Sequence, residues 1–522
     1  MKADWRHDIA HDLRKRVYGG YLARRDAMQM LAILGLGGAT QAFAAAPRRQ
    51  VLRIACSILE MDDPSVGNYF EAANVFRNVL DYLVHIDADS IVRPSLAAHW
   101  SASDDLRCWS FVLREDVTWS NGDRFDTRDV AATFAHWLGP NSLSVNKTTF
   151  ASVRHIEITG PYAFRLFLDR PMVSLPEMLY GITCPMLHRS FPTSGQPWSA
   201  NPIGTGPYTL TAFYVDDEAR LERRAGYWGT APGPDVLRFI DLGQTPSTQL
   251  AALADGQVDI LYQIGEADLP LARSLPGIRI IETVAAQTCC IRTRVDQKPF
   301  DDPRIRRAIQ LASDNTAMLR LGYGGAGIIG ANCHVAPFQR DYGPVPPARR
   351  DVRQARHLLA QAGYADGIEL TLALGNTQGL WEQNTAQIMQ QSVAEAGIRI
   401  NLNILPASEY KAIWSKIPFG LTYWTQRPLG MIQLDLAYRS GAAWNETRMA
   451  DPAFDAALDI AMSTVDPQRC REAMTKAERI LQNNAVIVQP FWQKKFTAVS
   501  SRVANYRLDP GDCFDFTRVV LS

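Results

Sequence analysis

Pro202-Ile203-Gly204-Thr205-Gly206-Pro207-Tyr208 is the stretch on which the reading of this 522-residue chain turns, because of what stands on either side of it. Upstream, in order, lie Arg93-Pro94-Ser95-Leu96-Ala97-Ala98-His99-Trp100, Trp109-Ser110-Phe111-Val112-Leu113-Arg114, and Asn121-Gly122-Asp123 leading to Asp129-Val130. Downstream lie Lys298-Pro299-Phe300-Asp301-Asp302, Arg304-Ile305-Arg306-Arg307-Ala308, and Ala355-Arg356-His357-Leu358-Leu359-Ala360-Gln361-Ala362-Gly363-Tyr364. Around the last of these the apolar spacing reads element by element. Val352, Ala355, Leu358, Leu359 and Ala362 recur at helical spacing until Gly363, and Ile368, Leu370, Leu372 and Leu374 then alternate as a strand. Ile388, Met389 and Val393 line a second helix ended by Gly397, and Ile398, Ile400, Leu402 and Ile404 alternate again. Strand, helix and strand with short joints make a parallel α/β unit. Ligands of such sheets sit at the carboxyl ends of the strands, which directs attention to the loops after Leu374 and Leu405.

Elsewhere, Val51–Ala55 reads as an opening strand, Asp126 or Thr127 caps a helix carrying Val130, Phe134, Trp137 and Leu138, and Asp302-Pro303 opens one whose inner face is Ile305, Ala308, Ile309 and Ala312. The polar, Pro-rich run from Gln339 to Arg350 reads as a surface connection. At this length two or three domains are expected. The 54 basic residues balance 54 acidic ones, so nothing calls for nucleic acid as a partner. Residues 27–46 are uncharged, rich in Ala, Gly and Leu, and follow Arg24-Arg25, with Ala42-Phe43-Ala44-Ala45-Ala46 at their end. That is the layout of an export signal, similar to the twin-arginine type, cleaved near residues 44–46; a retained membrane anchor is the alternative. The eight cysteines lack metal-ligand spacing and read mostly as buried apolar fillers, with Cys289 and Cys290 on opposite faces of a strand.

Motifs of catalysis and cofactor binding are weak here. Gly322-Tyr323-Gly324-Gly325-Ala326-Gly327 has dinucleotide-fingerprint spacing but follows a helix, so a flexible loop and no cofactor is the expectation. Ser408-Glu409-Tyr410-Lys411 has the spacing of a Ser-x-x-Lys pair without its partner motifs, and Ser408 reads instead as a helix cap. No metal site is expected, and the chain does not read as an enzyme. What stands out is aromatic and polar: Trp381 and Asn384, then Tyr423-Trp424-Thr425-Gln426-Arg427-Pro428, then Trp444-Asn445-Glu446. Flat rings with a few donors and acceptors suit an extended polar ligand, although tryptophans can equally be core.

The seven stretches quoted first, in their order along the chain, resemble the family 5 extracellular solute-binding proteins, whose Pro-Ile-Gly-Thr-Gly-Pro-Tyr signature residues 202–208 match. The resemblance covers nearly everything after residue 50. It implies an α/β, two-lobed periplasmic binding protein fold (type II, with an extra inserted domain) that closes on a hinge. Lobe one would take 47–78, 205–295 and 491–522, the inserted domain 79–204, and lobe two 296–490. It also implies a periplasmic, monomeric subunit of an ABC importer that captures a peptide or peptide-like solute and delivers it to a membrane permease. Open alternatives are an opine, oligosaccharide or metal chelate on the same fold, and, from another class, a periplasmic hydrolase.

In dipeptide-binding members the loop matching Trp424–Arg427 ends in an Asp that grips the peptide ammonium, and here Arg427 replaces it. The Arg that holds the peptide carboxylate in those members falls near Asn376. The charge pair is therefore not preserved, and Arg427 suits a carboxylate-bearing ligand. Its alternative partners are protein acids: Glu382, Asp435 or Glu446.

Overall fold

Two separate open sheets carry the chain. The computed structural model describes residues 49–66, 70–87, 90–347 and 349–522, and the expected export signal at 1–46 lies outside them. The first sheet runs Ile278–Val284, Phe491–Ser500, Ile260–Leu261, Val51–Ala55, Val236–Ile240, Glu218–Arg223, Tyr208–Tyr214, with Gly327–Ile329 added beside Phe491–Ser500. The second runs Ile398–Ile404, Ile368–Leu374, Phe419–Trp424, Thr288–Thr293, Ile487–Val488. A four-stranded antiparallel sheet between Ala97 and Leu168 shares one buried core with the first sheet, from Ile54 and Phe239 to Phe111 and Trp137. These make one lobe. The five-stranded sheet makes the other, with Cys289, Leu372 and Val393 buried on one face and Cys290, Trp424 and Leu434 on the opposite one. The adjacent cysteines thus do point apart, and all eight are unpaired thiols.

The chain leaves the first sheet after Val284, enters the second at Thr288, and returns between Val488 and Phe491. Thr288–Thr293, placed in lobe one by the sequence, pairs with Phe419–Trp424 and Ile487–Val488 and so belongs to lobe two. The two crossings are bonded to each other. Ala285 N–H donates to the Gln493 carbonyl at 3.0 Å, Gln493 N–H to the Gln287 carbonyl at 3.0 Å, and the buried Gln287 amide to Gln493 Oε1 at 2.9 Å.

The opening motif is explained by close backbone approach. Gly206 N–H donates to the Val79 carbonyl at 2.8 Å and Tyr208 N–H to Asn78 at 3.0 Å, which lays 204–208 flat on the chain at 78–79. A Cβ on Gly204 would stand 1.9 Å from the Val79 carbonyl oxygen, a contact no side-chain rotation relieves. Gly204→Ala is accordingly expected to cost about 2 kcal/mol or more of unfolding free energy in a urea titration. A loss below about 0.5 kcal/mol would mean that the two segments separate freely.

Local signals in the sequence are realised where neighbours enforce them. Asp126 caps Thr127–Leu138 in a capping box with Asp129, and Asp302 caps Pro303–Ala312. The unit at 351–405 folds as read: Val352–Gln361, Ile368–Leu374, Trp381–Ala394 and Ile398–Ile404, with the strands parallel in register from Ile368 opposite Ile398 to Leu374 opposite Ile404. Gly363 and Gly397, at φ of +92° and +84°, take the left-handed conformation that ends each helix.

Three expectations need correction. The glycine-rich run at 322–327 is no free loop: Met318–Gly322 forms a π-helical turn and Gly327–Ile329 a strand. Its glycines serve packing, since a Cβ would lie 2.9 Å from Thr385 Cα at Gly322 and 2.2 Å from the Trp492 carbonyl at Gly327. Ser408 is not a cap, because Ala407–Ile413 begins after Pro406 with no side-chain capping bond. The run from Gln339 does more than connect: Asp341 is buried and accepts from Gly430 N–H at 2.9 Å and Met431 N–H at 2.7 Å.

Candidate functional site

Ile368–Leu374 and Phe419–Trp424 are parallel neighbours, so their carboxyl ends open on the same edge. Thr288, the first residue after the crossing, pairs with Trp424 on that edge. The loops after Leu374 and Trp424 therefore lie beside the hinge. The fold alone brings candidate ligand-binding residues and the crossing between the sheets together.

Successive residues of a strand face opposite ways, and this divides the aromatic residues into two groups. Tyr423 joins Trp381, with ring centroids 6.2 Å apart, and Trp381 also packs on Tyr323 at 5.4 Å and Phe491 at 6.2 Å. Trp424 faces the other way, onto Trp444 at 6.0 Å, Trp414 at 6.4 Å and His334 at 5.5 Å. Of these rings Trp444 is the exposed one. Trp424 is fixed by its indole N–H, which donates to Glu446 Oε1 at 3.0 Å.

The polar candidates divide likewise. Asn376, left-handed at φ +45°, donates to Gln383 Oε1 at 3.1 Å while its own Oδ1 is buried without a partner. Asn384 is exposed on the helix Trp381–Ala394 and is not drawn into either aromatic group. Asn445 is buried, and its amide donates to the carbonyls of Tyr438, Arg439 and Met449, so it holds its own loop.

Arg427 is half-buried. Its guanidinium donates only within its loop, to Thr425 Oγ1 at 2.7 Å and the Gln426 carbonyl at 3.3 Å, and no carboxylate lies within 4.0 Å of it among the described residues. The three acids named as its alternative partners are occupied. Glu382 accepts from Thr377 N–H at 2.8 Å, Thr377 Oγ1 at 3.0 Å and Gln378 N–H at 3.2 Å; Asp435 pairs with Arg439 and Arg170; Glu446 pairs with the buried Arg292 at 2.6 Å. Burial lowers the proton affinity of Arg427, with only the Tyr423 phenol acting against it. Burial likewise pushes the Glu382 carboxyl up to about 7 despite its three donors, and raises the Tyr423 phenol well above its usual range.

Sequence reasoning missed the residues that hold this loop. Gln426 Oε1 accepts from Ala286 N–H in the crossing at 2.7 Å, and Gln339 donates to the Arg427 carbonyl at 3.0 Å. Each contact joins segments far apart in the chain and leaves no local pattern.

Two side-chain pairs have the elements of nucleophilic catalysis but not its conditions. Cys290 Sγ is 3.8 Å from His334 Nδ1, yet burial pushes the thiol far up and His334 down to about 3, so both stay neutral. Ser190 Oγ is 2.7 Å from His188 Nδ1, and His188 Nε2 3.0 Å from Asp123, but the same Nδ1 also accepts Ser190 N–H and so closes a turn in lobe one. Among the described residues no three His, Cys, Asp or Glu side chains are grouped to hold a metal ion.

Two α/β lobes on a double crossing, with aromatic rings and an unpaired cation at the joint, define a hinged solute-binding protein. The chain belongs to the bacterial extracellular solute-binding proteins, family 5, whose model matches residues 92–445. Its role is that of the solute-binding component of an ABC importer. It is 24% identical to the glutathione-binding protein GsiB of Salmonella paratyphi A over 93% of this chain and 97% of that one. Among solved structures, HbpA2 from Haemophilus parasuis superposes with a TM-score of 0.80 at 21% identity, covering 91% of this chain and 99% of that one. The binding protein AgaA of A. tumefaciens R10, in complex with agropinic acid, gives 0.76 at 19% identity over 91% and 98%.

Proposed function

We propose that this chain binds a small peptide-like solute through a carboxylate held by Arg427, encloses it between the lobes and presents it to a permease. The observation that carries this is a half-buried guanidinium with no carboxylate within 4.0 Å among the described residues. A cation withdrawn from water without a counter-charge is costly, and an entering carboxylate offsets that cost with a charge-assisted bond. Asn376 Oδ1, buried and unpartnered, supplies an acceptor for an N–H of the same ligand, and Tyr423 with Trp381, on one side of their strand, supplies flat apolar surface. Glutathione and agropinic acid, bound by two of the relatives, both carry carboxylates, and glutathione is the better model because it adds peptide N–H groups.

The expected calorimetric result is binding of reduced glutathione and none of its dimethyl ester, which keeps the peptide and masks both carboxylates. Equal binding of the two would reject the role given to Arg427. The chain acts as a monomeric binder and not as a hydrolase, which the neutral Cys290–His334 pair supports. Residues 24–46 direct export and are removed near 44–46; N-terminal sequencing of the exported protein checks this, and a retained residue 1 would refute it. We place lobe two at 288–488 apart from Gly327–Ile329, which pairs with Phe491–Ser500 of lobe one, and 79–204 as an insert of lobe one.

A further inference from the structure

The segment from Arg170 to Glu177 belongs to lobe one, where Met172 and Leu175 are part of its core, yet its polar groups reach lobe two. Val173 N–H donates to the Met462 carbonyl at 2.9 Å, Arg170 stands 3.6 Å from Asp435, and Glu177 accepts from Arg340 Nη2 at 2.5 Å. The Glu177 side chain is 7% exposed, and among the described residues Arg340 is the cation paired with it. Arg340 stands between two residues that grip the loop carrying Arg427. Gln339 on one side bonds the Arg427 carbonyl, and Asp341 on the other caps Gly430 and Met431, where that loop runs into the helix Gly430–Tyr438. Three consecutive residues thus join the loop to the opposite lobe.

We propose that the Arg340–Glu177 pair is a closure latch, a positioning contact that touches no ligand and sets how long the ligand is retained. It rests on the reading of Arg427 as the anion site. The bonds of Gln339 and Asp341 to the loop hold Arg340 where Glu177 meets it, and a ligand on Arg427 adds to the order of that same loop. Both charges are free to hydrate when the lobes part, so the pair forms only in the closed state and biases the hinge toward it.

The test uses the full chain with Glu177→Gln, Arg340→Met and the double variant, and reduced glutathione as probe. Dissociation is expected to quicken about tenfold in each single variant, with association unaltered and the double variant no faster than either single. The ligand-free variants should scatter X-rays with a larger radius of gyration than the unaltered protein, at an unaltered unfolding midpoint. A residue that merely supports the fold would lower the midpoint and leave the radius alone. Unchanged dissociation together with an unchanged radius would overturn the latch. If the unaltered protein fails to bind glutathione, the ligand reading fails by itself; the scattering comparison then decides the latch, an enlarged radius supporting it and an equal one overturning it.

Discussion

Arg292→Met is expected to lower the unfolding free energy by about 3–5 kcal/mol, because it leaves a buried carboxylate without its counter-charge. Arg292 is fully buried in Thr288–Thr293, where Nε donates to Glu446 at 2.6 Å and the two terminal nitrogens donate to the carbonyls of Ile417 and Trp414. Glu446 in turn accepts from Thr422 Oγ1 at 2.7 Å and from the Trp424 indole. Methionine fills the space of the side-chain stem but satisfies none of these acceptors. The damage should reach the site as well, since Trp424 loses the geometry of its anchor. Urea unfolding followed by tryptophan emission measures both effects. A loss under about 1 kcal/mol would mean that water replaces the guanidinium and that the pair does not organise lobe two.

Arg427→Ala is expected to do the reverse, sparing the fold and removing the function. The side chain bonds only within its own loop, so its deletion costs little stability. A bound carboxylate, however, would be left in a closed site with no cation. The expected loss of glutathione affinity is ~2–5 kcal/mol, roughly thirtyfold to several thousandfold by calorimetry. Affinity intact in a destabilised variant would show instead that Arg427 serves only the loop.

The sequence reveals most where the deciding contacts are local. The unit at 351–405 was legible because apolar spacing and two left-handed glycines specify helix, strand and stop within a few residues. The eight-stranded sheet was not, since its strands come from opposite ends of the chain and Phe491–Ser500 pairs with Ile278–Val284. The same limit applies to the site. Trp424 and Arg427 stand out by residue type in a loop that ends a strand, whereas Gln339 and Glu177 matter through partners 88 and 163 residues away. Asn445 shows the opposite failure: a polar residue beside Trp444 whose amide serves its own turn. Tyr423 and Trp424 face opposite sides of their strand, so Trp381 and Trp444 fall in separate groups, a division that residue type alone does not reveal.

Whether Arg427 holds the carboxylate of a captured solute is decided by native mass spectrometry of freshly exported protein. The unaltered chain is expected to retain a small molecule whose released mass and fragmentation identify a carboxylic acid, and Arg427→Ala, equally folded, is expected to retain none. An uncharged solute, or the same acid retained equally by both proteins, would contradict the claim.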